Sequence, residues 1–224
     1  MESNLKRKLQ KAIKRSFDII FSVLVIVLLL PLWIVVAVLI KTTSNGPIFF
    51  LQDRPGLHME IFKIYKFRTM NIGSEKMVKG QEVMKDDDRI TCIGKFLRRS
   101  KIDEIPQLLN VLKGEMSLIG PRPERVASLV DYTDEIAKRL DMRPGLSGLA
   151  QVSGNICIPL EERYAFDVYY VEHFSVGLDI RILLRTIGVV LFGENKYVDK
   201  CLVHIDKRAI DAEKSAAQVE IINV

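Results

Sequence analysis

Cysteine and histidine are scarce in this chain and form no pattern. Cys92, Cys157 and Cys201 are far apart and odd in number, so neither a disulfide framework nor a zinc site is indicated, and reduced, structural thiols are expected. His58, His173 and His204 lack metal-ligand spacing, which leaves them surface or packing roles. No internal repeat occurs, and no nucleic-acid-binding motif accompanies the basic residues, so a nucleic-acid partner is not expected. A removable leader is not expected either: the first apolar run is long for a signal-peptide core, and no small-residue cleavage site follows it.

What the chain does have is 224 residues, 48% of them hydrophobic, and a net charge of +5. That is enough for one sizeable core plus an anchor. Ile19 to Ile40 is apolar except for Ser22, and as a helix it would be about 33 Å long, close to the hydrocarbon thickness of a bilayer. Pro31 lies at its centre, where a proline should break or kink the helix near Val27 to Leu30. Lys6, Arg7, Lys8, Lys11, Lys14 and Arg15 precede the run, and Lys41, Arg54, Lys63, Lys66 and Arg68 follow it. Neither flank suits translocation. A re-entrant hairpin kinked at Pro31, entering and leaving by the cytoplasmic face, satisfies both flanks; a simple crossing helix with a tolerated proline is the other reading. The basic lead-in would be drawn to anionic phospholipid.

The chemistry concentrates in Ser100-Lys101-Ile102-Asp103-Glu104-Ile105-Pro106-Gln107. Pro106 cannot sit in a helix interior, so a helix through Gln107 to Leu112 must start within about one turn of it. Asp103 and Glu104 then lie at or beside its N-terminus, where the dipole favours ionised carboxylates and bound phosphate alike. An ionised aspartate there is a candidate nucleophile. Ser100-x-x-Asp103 as a plain capping box is the bland alternative. Lys113-Gly114 ends the helix with a basic turn and a C′ glycine. Beyond it, Gly120-Pro121-Arg122-Pro123 holds one arginine between two prolines, a low-entropy cation suited to bidentate phosphate binding, or simply a solvated turn.

Other segments frame this pair. Ile48 to Gln52, a turn at Asp53 to Gly56 and Ile61 to Phe67 predict a β-hairpin, with period two placing Lys66 and Arg68 on one face. Asn71 to Asp88 is polar and predicts a surface helix or loop. Phe96-Leu97-Arg98-Arg99 brings two cations just ahead of the acidic pair. Glu124 to Leu140 has the spacing of a packing helix. Arg143 to Asn155 is glycine-rich, so backbone N–H groups could approach a ligand. Leu178 to Phe192, with Arg181 and Arg185, is too charged to span; it is either an interfacial or a core helix.

Taken together, Gly46 to Phe50, Lys66 to Met70, Asp103 to Gly114, Met116 to Pro123, Arg143-Pro144-Gly145 and Asp167 to Tyr170 resemble the bacterial sugar transferases, small monotopic phosphoglycosyl transferases. The likeness runs from about Lys14 to Phe192. It implies an α+β fold, mostly helical with a small β-hairpin sheet, on a re-entrant helix kinked at Pro31 and interfacial helices. The expected divisions are 1–45 for the lead-in and membrane helix, 46–205 for the catalytic domain and 206–224 for a polar tail. The implied reaction moves a sugar 1-phosphate from a nucleotide diphosphate sugar, with UDP as the expected nucleotide, to polyprenyl (undecaprenyl) phosphate at the cytoplasmic face of the bacterial inner membrane.

In that resemblance Asp103 attacks the sugar-bearing phosphate, while Glu104 organises the site and, with Asp103, a Mg²⁺ ion. Hard oxygen donors agree with magnesium over zinc. Arg98 and Arg122 match phosphate-binding arginines, and Lys66 and Arg68 are expected to support the same pocket. Arg143, Gln151 and Asn155 belong to a substrate loop. Three positions depart from the family pattern: Leu30 stands where a serine often precedes the proline, Leu149 where a tryptophan is frequent, and Asn155 where an arginine is frequent. The long multi-helix extension of larger relatives is absent, so a minimal catalytic unit is expected, with a homodimer left open. A non-catalytic membrane-anchored scaffold of the same fold is the competing reading.

Overall fold

The structure, a computed structural model, describes residues 2–74, 87–198 and 200–203. The tail expected at 206–224 and most of the polar 71–88 segment lie outside these. Helix α1 spans Glu2–Thr43 with Pro31 inside it. The expected break does not divide it into two helices. Proline removes one bond, to residue i−4, and a helix survives that loss where neighbours hold both sides. Here Phe21, Val25 and Ile26 pack on one part of the domain, and Leu32, Trp33, Val36 and Ile40 on another.

Polar ties fasten α1 at both ends. The Arg7 guanidinium donates to the Val171 carbonyl at 2.8 Å. Lys14 donates to the Ile119 carbonyl at 2.8 Å and pairs with Asp179 at 2.7 Å. Asp18 accepts from the Ser117 hydroxyl at 2.8 Å and the Leu118 amide at 3.1 Å. At the far end the Arg68 guanidinium donates to the carbonyls of Asn45 at 2.7 Å and Ser44 at 2.9 Å. Between these ties Leu24, Val27, Leu28, Leu30, Ile34 and Val38 are exposed. Among the described residues α1 is the one helix long and apolar enough to cross a membrane.

Strands β1 (Phe49–Pro55) and β2 (Ile61–Phe67) pair antiparallel, as the turn signals predict. Helix α2 (Cys92–Arg99) starts at Thr91, whose hydroxyl accepts from the Gly94 amide at 3.0 Å, and it buries Leu97 against Val36, Ile40 and Phe67. Helix α3 (Gln107–Lys113) begins after Pro106 and ends at Gly114 with φ 88°, the left-handed conformation expected of a C-terminal glycine. Its buried Asn110 accepts from the Tyr65 amide at 3.0 Å and donates to the Lys63 carbonyl at 2.8 Å. That side chain acts as a strand partner and docks α3 on the hairpin.

A second sheet was not foreseen. Strand β3 (Ser117–Ile119) pairs in parallel with β4 (Gly145–Ser147), so part of the glycine-rich loop is a strand. The approach needs glycine: a Cβ at Gly145 would lie 2.1 Å from the Gly120 amide nitrogen. The single packing helix expected over Glu124 to Leu140 is instead two 3₁₀ stretches, Val126–Asp131 and Lys138–Asp141, flanking the four-residue α4 (Asp134–Ala137). Val130 is 86% exposed, so the apolar spacing there found no partner surface.

Helix α5 (Leu149–Val152), α6 (Leu160–Glu172) and α7 (Val176–Phe192) complete the fold. The main core gathers Leu108, Leu118, Leu149, Phe166, Tyr170 and Ile182, each such side chain worth about 1.5–3 kcal/mol on burial. Helix α7 buries Leu178 and Ile182 but exposes Leu184, Ile187, Val190, Leu191 and Phe192. Such one-sidedness separates it from a core helix, which would be covered all round.

Candidate active site

Ser100 ends α2 rather than capping the next helix: its hydroxyl donates back to the Phe96 carbonyl at 2.8 Å. Lys101 then takes a left-handed φ of 59°, a conformation that costs a non-glycine residue about 1–2 kcal/mol. This reversal starts the 3₁₀ turn Ile102–Glu104, which delivers the two carboxylates just ahead of Pro106 and α3. The capping-box alternative is therefore not what the backbone forms.

The two adjacent carboxylates are held differently. Lys66 on β2 reaches Glu104 Oε1 at 2.6 Å, and an Arg122 Nη2 lies 3.5 Å from the same oxygen. Burial alone would raise the pKa of Glu104, but the two cations outweigh it and hold the group well below the usual carboxylate range. Asp103 is 8% exposed, and among the described residues no side chain hydrogen-bonds or pairs with it. Burial, then the neighbouring Glu104 charge, push it up to about 6, against the weaker pull of Lys66, Arg98 and Lys101. The ionised form expected from the helix N-terminus is thus opposed at Asp103 by desolvation, and the dipole of a seven-residue helix does not offset it. At pH 7 such a group is still about nine-tenths ionised. It is a basic, unpaired carboxylate facing cations, an arrangement suited to attack on phosphorus.

The cations are themselves positioned from behind. Arg98 Nε donates to the Thr69 hydroxyl at 2.9 Å. The carbonyl of Arg122 accepts from Arg139 Nη2 at 2.8 Å. Arg139 is buried in an ion pair with Asp167 and also bonds the Tyr132 hydroxyl. A buried network of this kind fixes the Pro121–Pro123 turn that carries Arg122.

A family model described as bacterial sugar transferase matches residues 9–193. The chain belongs to the bacterial sugar transferase family. It is 36% identical over 211 residues to the undecaprenyl-phosphate galactose phosphotransferase of Salmonella typhimurium, covering 88% of this chain and 44% of that relative. It is 40% identical over 182 residues to the uncharacterized sugar transferase EpsL of Bacillus subtilis, covering 81% of this chain and 89% of EpsL. It is 44% identical over 188 residues to the UDP-N-acetylgalactosamine-undecaprenyl-phosphate N-acetylgalactosaminephosphotransferase of Aeromonas hydrophila, covering 81% of this chain and 44% of that protein. The chain thus spans less than half the length of two of these relatives.

In this sugar transferase the structure gathers Asp103, Glu104, Lys66, Arg98 and Arg122, while the other expected residues stand elsewhere. Arg68 is buried and bound to Ser44 and Asn45; β2 ends at Phe67, so the alternation that paired it with Lys66 stops one residue short. Arg143 Nε donates to the Gly114 carbonyl at 2.7 Å, at the opposite end of α3 from the acidic pair. Arg15 joins it there, donating to the Val111 carbonyl at 2.6 Å, so both cations satisfy the negative end of that helix. Gln151 donates to the Leu146 carbonyl at 3.1 Å, and Asn155 is buried with φ 48°. Among the described residues neither bonds to the acidic pair.

One pocket residue was missed. Arg54 lines a cleft with Ile64, Lys66, Gln107, Arg122 and Pro123. The signal was in the hairpin: Phe50 opposes Lys66 and Arg54 opposes Phe62, so alternation puts residues 54 and 66 on one face.

Proposed function

We propose that this sugar transferase moves a sugar 1-phosphate from a UDP-sugar to undecaprenyl phosphate through a covalent phosphosugar on Asp103, initiating glycoconjugate synthesis. The observation that carries the reading is the buried, unpaired Asp103 carboxylate, raised to about 6, beside Lys66, Arg98 and Arg122. The names of the relatives support the substrate classes. An Asp103 oxygen attacks the sugar-bearing phosphorus; the bond to the bridging oxygen breaks, its electron pair stays with nucleoside monophosphate, and that product leaves. An oxygen of the lipid phosphate then attacks the same phosphorus and the Asp103–phosphorus bond breaks, restoring the carboxylate. Lys66, Arg98 and Arg122 reduce the repulsion between carboxylate and diphosphate at each attack.

Magnesium fits the donor set, two adjacent hard carboxylates of which one has no protein partner among the described residues. Asp103 and Glu104 would hold it. No group of three or more His, Cys, Asp or Glu side chains is clustered among the described residues, so substrate phosphates would complete its shell. When bound, the ion screens the diphosphate charge.

Membrane placement follows from α1. Ties to the domain at Arg7, Lys14 and Asp18 before Pro31, and at Ile40 and Ser44 after it, support a re-entrant helix whose two flanks stay on the cytoplasmic side of the inner membrane. The exposed apolar faces of α1 and α7 would meet phospholipid. The test is a screen of nucleotide diphosphate sugars with undecaprenyl phosphate, following release of nucleoside monophosphate. Release dependent on both substrates is expected; no release from any donor would refute the reading.

A further inference from the structure

The cleft holding Arg54 lies between the β1–β2 hairpin and the Pro121–Pro123 turn. Arg54 Nη1 donates to the Pro123 carbonyl at 3.0 Å and Nη2 to Gln52 Oε1 at 2.6 Å. Its Nε–H is buried and bonds nothing among the described residues. All of its bonds are to neutral acceptors, and no carboxylate pairs with it there; Glu124 and Glu104 act on it only at longer range. Burial and the facing Arg122 push its pKa down to about 10, the mark of a cation lacking a counter-ion. A half-buried guanidinium left this way carries a desolvation cost that an anion in the cleft would offset.

The cations are ordered. Arg98 acts on Asp103, Lys66 on both carboxylates, Arg122 on Glu104, and Arg54 stands next to Arg122. A diphosphate whose sugar-bearing phosphorus faces Asp103 extends its second phosphate along this row, away from the nucleophile. That second phosphate is the one that gains charge when the bridging bond breaks.

We infer that this cleft is the subsite for the departing nucleoside monophosphate, and that Arg54 is the residue that takes its phosphate. The inference rests on the transfer reaction proposed above. Arg54 is then a donor-side residue: it binds the leaving phosphate in the forward half-reaction and holds the incoming one in reverse. The lipid phosphate, which arrives after that product has left, makes no use of it.

The test uses the full chain in detergent or nanodiscs, with uridine 5′-monophosphate as probe. Arg54→Gln should weaken uridine monophosphate, measured by calorimetry and as a product inhibitor, by about tenfold or more, the scale of one charge-assisted contact. Arg54→Lys should recover part of the loss, since it restores charge without the fork. Uridine without phosphate should bind both variants like the parent protein, and the KM for undecaprenyl phosphate should be unchanged. Unaltered uridine monophosphate binding in Arg54→Gln overturns the inference. So does equal loss of nucleotide and lipid-phosphate affinity, which would make Arg54 only a prop for the Pro123 turn. Failure of the underlying reaction is distinguishable, because the parent protein itself would then release no nucleoside monophosphate from any donor.

Discussion

Lys66 Nζ sits 2.6 Å from Glu104 Oε1, and that one contact separates two neighbouring carboxylates into a strongly ionised acid and a basic one. With its partner, Glu104 stays charged at any physiological pH; Asp103, bearing burial and the charge of Glu104, is raised to about 6. Paired groups pushed apart in this way divide labour, one anchoring cations and the other reacting.

Asp103→Asn should inactivate the protein and stabilise it. A carboxylate raised in the folded state binds its proton more tightly there than in the unfolded chain, so it destabilises the fold above about pH 6 and has no such effect below about pH 4. Removing it should add on the order of 2 kcal/mol at pH 7, an increment that vanishes on acidification. Denaturation of both proteins across pH 4–8 checks this; a mutant equally stable or weaker at pH 7 contradicts the burial argument.

Turnover should depend on the same group. The ionised form reacts, so kcat/KM should fall as pH drops through about 6 and level off above about 7. A profile flat down to pH 5, with the fold intact, would mean that the reacting group is an ordinary, solvated carboxylate.

Lys66→Met leaves Glu104 buried without its closest cation. The expected loss is about 3 kcal/mol at neutral pH. Because Glu104 is depressed when folded, that loss should shrink as pH falls below the usual carboxylate range and the orphaned acid takes up a proton. Thermal unfolding at pH 7 and pH 4 would separate this from a simple packing defect, which would be the same at both.

The hairpin, the start of α3 after Pro106 and its end at Gly114 were legible in the sequence, because each depends on residues close together in the chain. The β3–β4 pairing was not, since it joins three-residue strands about 28 positions apart through glycine contact rather than any periodicity. The site divides along similar lines. Asp103, Glu104 and Arg122 stand in local turns, whereas the burial of Arg68 against the end of α1, and of Arg143 against α3, depends on tertiary neighbours that no spacing reveals. Arg54 lay within reach of the hairpin alternation but had no local motif to mark it.

Membrane placement is tested by labelling. With Cys92, Cys157 and Cys201 replaced, single cysteines near Lys8 and near Lys41 should react with an impermeant reagent from the same side of sealed vesicles, since the domain grips α1 through Lys14 and Asp18 on one side of Pro31 and Ile40 on the other. Opposite-side labelling would mean a crossing helix.

The central claim is that Asp103 carries the phosphosugar, and the direct measurement is mass spectrometry of the protein after brief incubation with a UDP-sugar and no lipid acceptor. A sugar-phosphate adduct mapping to Asp103, absent from Asp103→Asn and discharged on adding undecaprenyl phosphate, is the result expected. An active preparation in which no adduct forms, or in which it forms on another side chain, would contradict the account.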